Sequence, residues 1–214
     1  MDEEAVDAWF AERLIGPDED LDEVLAANQA AGLRAIDVSP LQGKLLHLVA
    51  RAIGAKRVLE IGTLGGFSTI WLARAVGETG QVVTLEIQQH NAEVARANLV
   101  RAGVGDRVEV RVGPALDLLP AVEGPFDLIF IDADKANQDA YLAWALKLAR
   151  PGAVILGDNV VRDGEVANPQ TRDPNVQGVR RFIDLLASEP RLNATAIQTV
   201  GAKGWDGFAF AVVD

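Results

Sequence analysis

The sequence predicts an α/β fold built on a mostly parallel sheet with helices on both faces. Three observations point to it. From residue 56 onward, short β-rich runs alternate with helical stretches. A glycine-bearing turn, Gly62 to Gly66, follows the first of those runs. The last two runs are separated only by Gly201 to Gly207, too short for a crossover helix, so they should pair antiparallel. Apolar strands alternating with amphipathic helices are the pattern of a sheet covered on both faces.

The elements follow in order. Glu3 to Leu14 reads as a short amphipathic helix that stops at Gly16-Pro17. Leu21 to Ala31 reads as a second, ending at Gly32. Pro40 to Ile53 reads as a third, with Ser39 as N-cap and Pro40 at the first helical position. Its apolar stripe is expected at Leu41, Leu45, Leu48, Val49 and Ala52. Strands are expected over Arg57–Ile61, Gln81–Leu85, Val108–Val112, Phe126–Ile131, Ala153–Leu156, Ala194–Val200 and Phe208–Val213. Helices are expected over Phe67–Ala75, Asn91–Ala102, Asp139–Leu148 and Gln177–Ala187, with a short one starting at Leu116–Leu119. Val161 to Pro174 is the one long irregular stretch, and loops of that length often serve as lids.

Composition narrows the classes. A chain of 214 residues can bury roughly 70% of its unfolded surface in one core. One domain over 1–214 is therefore expected, with 1–55 as an N-terminal helical cap. There is no cysteine, which excludes disulfides, thiolate metal sites and a thiol nucleophile. The formal charge of −11 argues against nucleic acid and against an anionic membrane surface. No apolar run approaches the ~18 residues needed to span a bilayer. The N-terminus, Met1-Asp2-Glu3-Glu4, is acidic where a secretory signal is basic and then apolar. The expectation is a soluble, cytoplasmic protein.

The glycine turn carries the first chemistry. In Glu60-Ile61-Gly62-Thr63-Leu64-Gly65-Gly66-Phe67-Ser68, glycine lets the chain turn sharply and lets a ligand approach. The turn lies at the carboxyl end of a parallel strand, where open α/β sheets bind ligands. Glu86, 24 positions after Gly62, ends the second strand, where a carboxylate can accept both hydroxyls of a ribose. The G-x-G-x-x-G dinucleotide fingerprint is absent. Glu60 also puts a carboxylate where a diphosphate would be repelled. A ligand with a cationic amine, a ribose and no phosphate fits better, and S-adenosylmethionine has those parts. The plainer alternative is a glycine-rich connection and a solvated Glu86.

The second constellation lies at two further strand ends. The fourth strand ends Ile131-Asp132-Ala133-Asp134-Lys135 and the fifth ends Gly157-Asp158-Asn159. Asp132, Asp158 and Asn159 offer only oxygen, which suits a hard divalent cation rather than zinc. Aspartates at strand ends are also common caps, so spacing alone leaves both readings open. Lys135 is open in the same way, as a base or as a surface lysine balancing Asp132 and Asp134.

The blocks Val58 to Ser68, Ile131 to Lys135 and Asp158-Asn159-Val160, in that order, resemble the cation-dependent O-methyltransferases. That family holds the catechol and caffeoyl-CoA O-methyltransferases and their bacterial relatives. The match runs from about residue 36 to the C-terminus. It implies a class I methyltransferase (Rossmann-like) fold: seven strands, mostly parallel, the last antiparallel, with helices on both faces. It further implies S-adenosylmethionine and a divalent cation, Mg²⁺ foremost, with Mn²⁺ and Ca²⁺ open. By position, Asp132, Asp158 and Asn159 correspond to metal ligands and Lys135 to the catalytic base. Ile36, Val38, Glu60, Gly62, Ser68, Glu86, Ala115 and Asp132 correspond to cofactor contacts. The acceptor implied is a small vicinal-dihydroxy aromatic, and a homodimer is the family's habit. Ala133-Asp134 follows the caffeoyl-CoA and bacterial branch, not the His-Trp of animal catechol enzymes.

The chemistry asks for these groups. A phenol titrates near 10, so ionising it at pH 7 costs ~4 kcal/mol. A divalent cation can lower the pKa of a bound hydroxyl by several units. Free lysine titrates near 10.4, so a base role for Lys135 requires the cation beside it. Other residues are weighed as structural. His47 and His90 lack partners for a triad or metal site. Trp71 and Trp144 read as core. Asp134 reads as the cap of the helix after it rather than as a substrate contact. Trp205 could wall the acceptor pocket or simply pack a turn. Arg162, Arg172, Arg180 and Arg181 read as a solvated charge mix rather than as a trap for an anionic substrate. Two competing functions are a NAD-dependent oxidoreductase, which NADH binding would reveal, and a non-catalytic module, against which the intact Asp132–Lys135–Asp158–Asn159 set argues. A nucleic-acid methyltransferase is disfavoured by the charge and by the absence of an Asn-Pro-Pro-Tyr or cysteine-based site.

Overall fold

The computed structural model describes residues 2–214; Met1, the first residue of the acidic N-terminus, lies outside them. Seven strands form one sheet in the order β3-β2-β1-β4-β5-β7-β6. They are β1 (Arg57–Ile61), β2 (Gln81–Glu86), β3 (Val108–Val112), β4 (Phe126–Ile131), β5 (Ala149–Asp158), β6 (Leu192–Gly201) and β7 (Gly204–Val213). β1 pairs parallel with β2 and β4, β2 with β3, and β4 with β5. β7 pairs antiparallel with both β5 and β6, as the short connection required. The eight helices among the described residues are α1 (Glu3–Leu14), α2 (Glu19–Ala30), α3 (Pro40–Ala52), α4 (Phe67–Val76), α5 (Gln89–Arg101), α6 (Ala115–Leu118), α7 (Gln138–Leu148) and α8 (Pro174–Ser188). None is long and apolar enough to cross a membrane.

Alternation along the strands sorts the core into two layers. Val58, Val82, Leu128, Phe130, Val154 and Leu156 face a layer holding residues of α2, α3, α4 and α5. Leu59, Ile61, Leu85, Ile129, Ile131 and Ile155 face the other, against residues of α7 and α8. The strand order reverses at β1/β4, so the carboxyl ends of β1, β2, β4 and β5 share one rim around a switch point.

Several boundaries differ from expectation. The Gly201–Gly207 connection is mostly strand: Gly201 pairs with Gly204, leaving only Ala202 and Lys203 as the turn. β5 begins at Ala149 rather than Ala153, because Ala149 already pairs with Phe126 of β4. α8 begins at Pro174, with the Asp173 side chain accepting from the Asn175 amide at 2.8 Å, which shortens the irregular stretch. The expected stripe of α3 is also wrong. Leu48 and Ala52 are exposed, and the buried face is Gly43, Leu46 and Ala50. The reason is close packing on α4: a Cβ on Gly43 would overlap the Trp71 ring. Small residues therefore face the partner helix. The N-cap survives as read, with the Gln42 amide donating to Ser39 Oγ at 3.2 Å.

Candidate active site

The rim is assembled by backbone. The Gly62 amide donates to the Leu85 carbonyl at 3.0 Å, and the Asp132 amide to the Ile61 carbonyl at 2.8 Å. The ends of β1, β2 and β4 are thus laced together. Gly62 adopts φ +107°, and a Cβ there would overlap the carbonyl oxygen of Asp132. Its absent side chain is what lets the β1 turn lie against the end of β4. Gly66, at φ +88°, then starts α4.

Glu60 has no exposed surface. Ser68 Oγ and Thr84 Oγ1 each donate to its carboxylate at 2.6 Å, and Thr69 Oγ1 donates as well. Burial pushes its pKa up to about 7, against the pull of the three hydroxyls. Glu60 thus lies beneath the rim with its oxygens taken by hydroxyls. Glu86, at the end of β2, accepts the Leu64 amide at 2.8 Å on one oxygen, and the Gln88 amide at 2.9 Å on the other. Ala115 opens α6 close by, where the Gly113 amide reaches the Glu86 carbonyl at 2.9 Å. Val38 is buried while Ile36 is 54% exposed, so only the former packs as core.

Sequence reading missed what ties the N-terminal segment to this loop. Asn28 of α2 is buried, accepts from Asn98 Nδ2 at 2.9 Å and donates to Asp37 Oδ1 at 2.9 Å. Asn98 Nδ2 also donates to the Gly65 carbonyl at 2.8 Å. The available signal was a polar residue completing an apolar stripe, Leu21–Val24–Asn28.

The carboxylates meet on the same rim. Ile131 is the register partner of Gly157, so Asp132 and Asp158 follow side by side. Lys135, 8% exposed, sits in a 3-10 turn over 135–137 and donates to Asp132 Oδ1 at 2.7 Å. Asp158 is 5% exposed; burial and then the charge of Asp132 push its pKa up to about 7. The Gln42 side chain and the Asn159 amide oppose that rise, the amide at 2.8 Å. Gln138, on α7, holds the Asp158 carbonyl at 3.0 Å. Asn159 adopts φ +58°, a left-handed conformation that asparagine tolerates. Sequence reading passed over Gln42 and Gln138, whose polar side chains on helices had no local motif.

This donor set fits a hard divalent cation. Two carboxylates share a poorly hydrated corner with one lysine, and burial first, then the charge of Asp132, raises the pKa of Asp158. Among the described residues no group of three His, Cys, Asp or Glu stands ready for a metal. An amide oxygen from Asn159 would complete an all-oxygen set.

Of the other residues weighed, His47 faces the Trp71 carbonyl at 3.2 Å and His90 the Ala31 carbonyl at 3.0 Å. Trp71 is core, whereas Trp144 is only half-buried, under Lys147. Asp134 makes no side-chain cap; it accepts instead from Asn137 Nδ2 at 2.6 Å and from the Tyr141 hydroxyl. Arg180 holds the Val166 and Asn168 carbonyls, and Arg181 pairs with Asp139 at 2.9 Å. Arg181 is thus an exposed, solvated ion pair as expected, whereas Arg180 is part-buried on backbone carbonyls. Trp205 lies on β7, donating to Gln198 Oε1 at 3.0 Å.

The sheet order and the ligand rim at its switch point define a class I methyltransferase fold. A family model described as O-methyltransferase matches residues 17–207. The catechol O-methyltransferase of Mycobacterium tuberculosis is 60% identical over 209 residues, covering 97% of this chain and 94% of its own length. An O-methyltransferase from Bacillus cereus, solved in complex with SAH, superposes with a TM-score of 0.97 and 57% identity, over 99% of this chain and 98% of that one. The O-methyltransferase TomG of Streptomyces achromogenes, involved in tomaymycin synthesis and solved in complex with SAM, gives 0.95 and 49%, over 99% and 96%. The chain belongs to the O-methyltransferase family.

Proposed function

We propose that the chain transfers a methyl group from S-adenosylmethionine to one hydroxyl of a small vicinal-dihydroxy aromatic of catechol, caffeoyl or flavonoid type. The observation that carries this reading is the meeting of Asp132, Lys135 and Asp158 on one rim with the Gly62 turn. The Mycobacterium tuberculosis relative, a catechol O-methyltransferase by name, supports the acceptor class. The SAH- and SAM-bound relatives support the donor.

Asp132, Asp158 and Asn159 would hold a divalent cation, Mg²⁺ before Mn²⁺ or Ca²⁺, which supplies the charge that makes a phenol acidic near neutral pH. Lys135 is the general base. Its amine donates to Asp132 at 2.7 Å, so it must leave that bond and give up one proton to solvent before it can take the hydroxyl proton. The acceptor oxygen then attacks the methyl carbon, the carbon–sulfur bond breaks, and the sulfonium leaves as a neutral thioether. Glu60, Gly62, Ser68, Glu86, Ala115 and Asp132, with Ile36 and Val38, are assigned to the cofactor. A homodimer is part of the proposal, through the open edge of β6.

The test is a methyl-transfer screen over catechols, caffeoyl esters and flavonoids, with Mg²⁺ or with excess EDTA. Lys135→Ala is expected to cost ~10²–10⁴-fold in kcat, the usual worth of a general base, while S-adenosylmethionine still binds. Full activity in EDTA would overturn the metal assignment, and full activity of Lys135→Ala would overturn the base.

A further inference from the structure

We propose that Asp206 is a positioning residue for the metal-ligand turn, holding Asn159 in the conformation that presents its amide oxygen beside Asp158. The inference rests on the assignment of Asp158 and Asn159 as cation ligands. Asparagine tolerates the left-handed region, but a run of left-handed residues that includes an arginine is costly and persists only where the surroundings impose it. Asn159 is at φ +58°, and Arg162, Asp163 and Gly164 follow at +56°, +53° and +82°. Something must hold this segment.

What holds it is the start of β7. Asp158 is the register partner of Phe208, so the turn begins against β7. The Val160 amide then donates to the Gly207 carbonyl at 3.0 Å. The Val161 and Arg162 amides both donate to Asp206 Oδ1, at 2.9 and 3.1 Å. The Asp163 amide donates to the Trp205 carbonyl at 3.3 Å. Four successive amides after Asn159 are thus taken by residues 205–207, and a single side-chain oxygen takes two of them. The Trp205 ring closes over Gly164, where a Cβ would come within 2.8 Å of it. The ion pair of Asp206 with Arg162 is looser, at 3.9 Å, so the carboxylate serves the backbone first. No hydrogen bond joins Asp206 to Asp132, Lys135 or the Gly62 turn among the described residues, so its influence on the site runs through the Asn159 turn.

The test is calorimetric titration of Mn²⁺ and, separately, of S-adenosylmethionine into the wild type, Asn159→Ala, Asp206→Ala and Asp206→Asn. Loss of a group that orients a metal ligand typically costs ~10–100-fold in metal affinity. Asp206→Ala is expected to weaken Mn²⁺ by that factor while leaving cofactor affinity within about twofold. Asp206→Asn keeps an oxygen that can accept both amides and is expected to restore most of the metal affinity. If the wild type fails to bind Mn²⁺, or Asn159→Ala binds it equally well, the metal assignment itself falls. If Asn159→Ala loses Mn²⁺ and Asp206→Ala does not, the positioning role is overturned. Joint loss of Mn²⁺ and cofactor by a folded Asp206→Ala also overturns it, because the effect would be general. Should Asp206→Ala not fold, Asp206→Glu carries the test, since it keeps the charge but moves the accepting oxygen. Selective loss of Mn²⁺ supports the role there, and unchanged binding overturns it.

Discussion

Glu60 shows how one side chain can be legible in sequence while its surroundings are not. The carboxylate stands out beside a glycine turn, yet Thr84, its register partner on β2, lies 24 positions away and is joined to it only by the sheet. Thr63 Oγ1 and Thr84 Oγ1 are 2.6 Å apart, extending the buried chain of hydroxyls. Burial lifts the pKa of Glu60 from an ordinary 4.5 to about 7, so the folded protein favours the protonated acid. The sign follows: the folded state binds more protons than the unfolded one between those values. Stability from this group is therefore greatest below the ordinary carboxylate range and is lost as pH rises toward 7. The shift corresponds to a change on the order of 3 kcal/mol across that window. Glu60→Gln, which cannot titrate, is expected to flatten this slope when urea midpoints are followed from pH 4.5 to 8. Parallel curves for the two proteins would show that Glu60 does not carry it.

At the scale of elements, helix α8 does something its sequence does not announce. Gly178 lies on its buried face between Val176 and Val179. In a helix interior glycine costs ~1 kcal/mol relative to alanine. The packing explains its use: a Cβ there would overlap the Lys135 carbonyl and lie 2.8 Å from Ala136 Cα. Backbone therefore meets backbone, and α8 sets the height of the turn that carries Lys135. Gly178→Ala gains helix propensity but must push that turn away, at a cost of about 1–3 kcal/mol typical of overpacking. It is expected to lower the melting temperature and reduce kcat while cofactor affinity holds. A stable, fully active Gly178→Ala would show that the contact has slack. The same logic explains what sequence patterning could and could not deliver. Strands β1, β2 and β4 were readable as short, mostly apolar runs bounded by turn residues, and β3 by its alternation of valine with charged residues. The buried face of α3 was not, because Gly43 and Ala50 are buried for closeness to α4 rather than for apolar bulk. The aspartates and lysine of the rim were readable as motifs. Gln42, Gln138 and Asp206 were not, because their partners are reached only through tertiary packing.

For the whole molecule, charge and edge chemistry point at one surface. A net charge of −11 makes two copies repel unless they meet where charge is absent. β6 offers that place. It is the edge of the sheet, it runs from Leu192 to Gly201, and it contains no charged residue and no proline. Edge strands of this length are ordinarily blunted by lysine, proline or a covering element, since their free amides and carbonyls invite another strand. Here Ile197 and Val200 are 51% and 63% exposed. Helix α1 lies alongside, tied to the hairpin tip by Asp7, whose carboxylate accepts the Ala202 amide at 2.9 Å. It presents Trp9, Phe10 and Leu14 to the outside and buries none of its residues. A second copy of the chain covering this edge would remove those apolar groups from water and pair the open strand. Light scattering on the eluted protein at micromolar concentration is expected to give the mass of two chains. The double variant Ile197→Lys/Val200→Lys places the natural edge-blocking residue on the strand and should give the mass of one. Its circular dichroism should be unchanged, because neither side chain belongs to the buried core. A wild type that elutes as a single chain, or a double variant that still carries two, would remove β6 as the meeting surface.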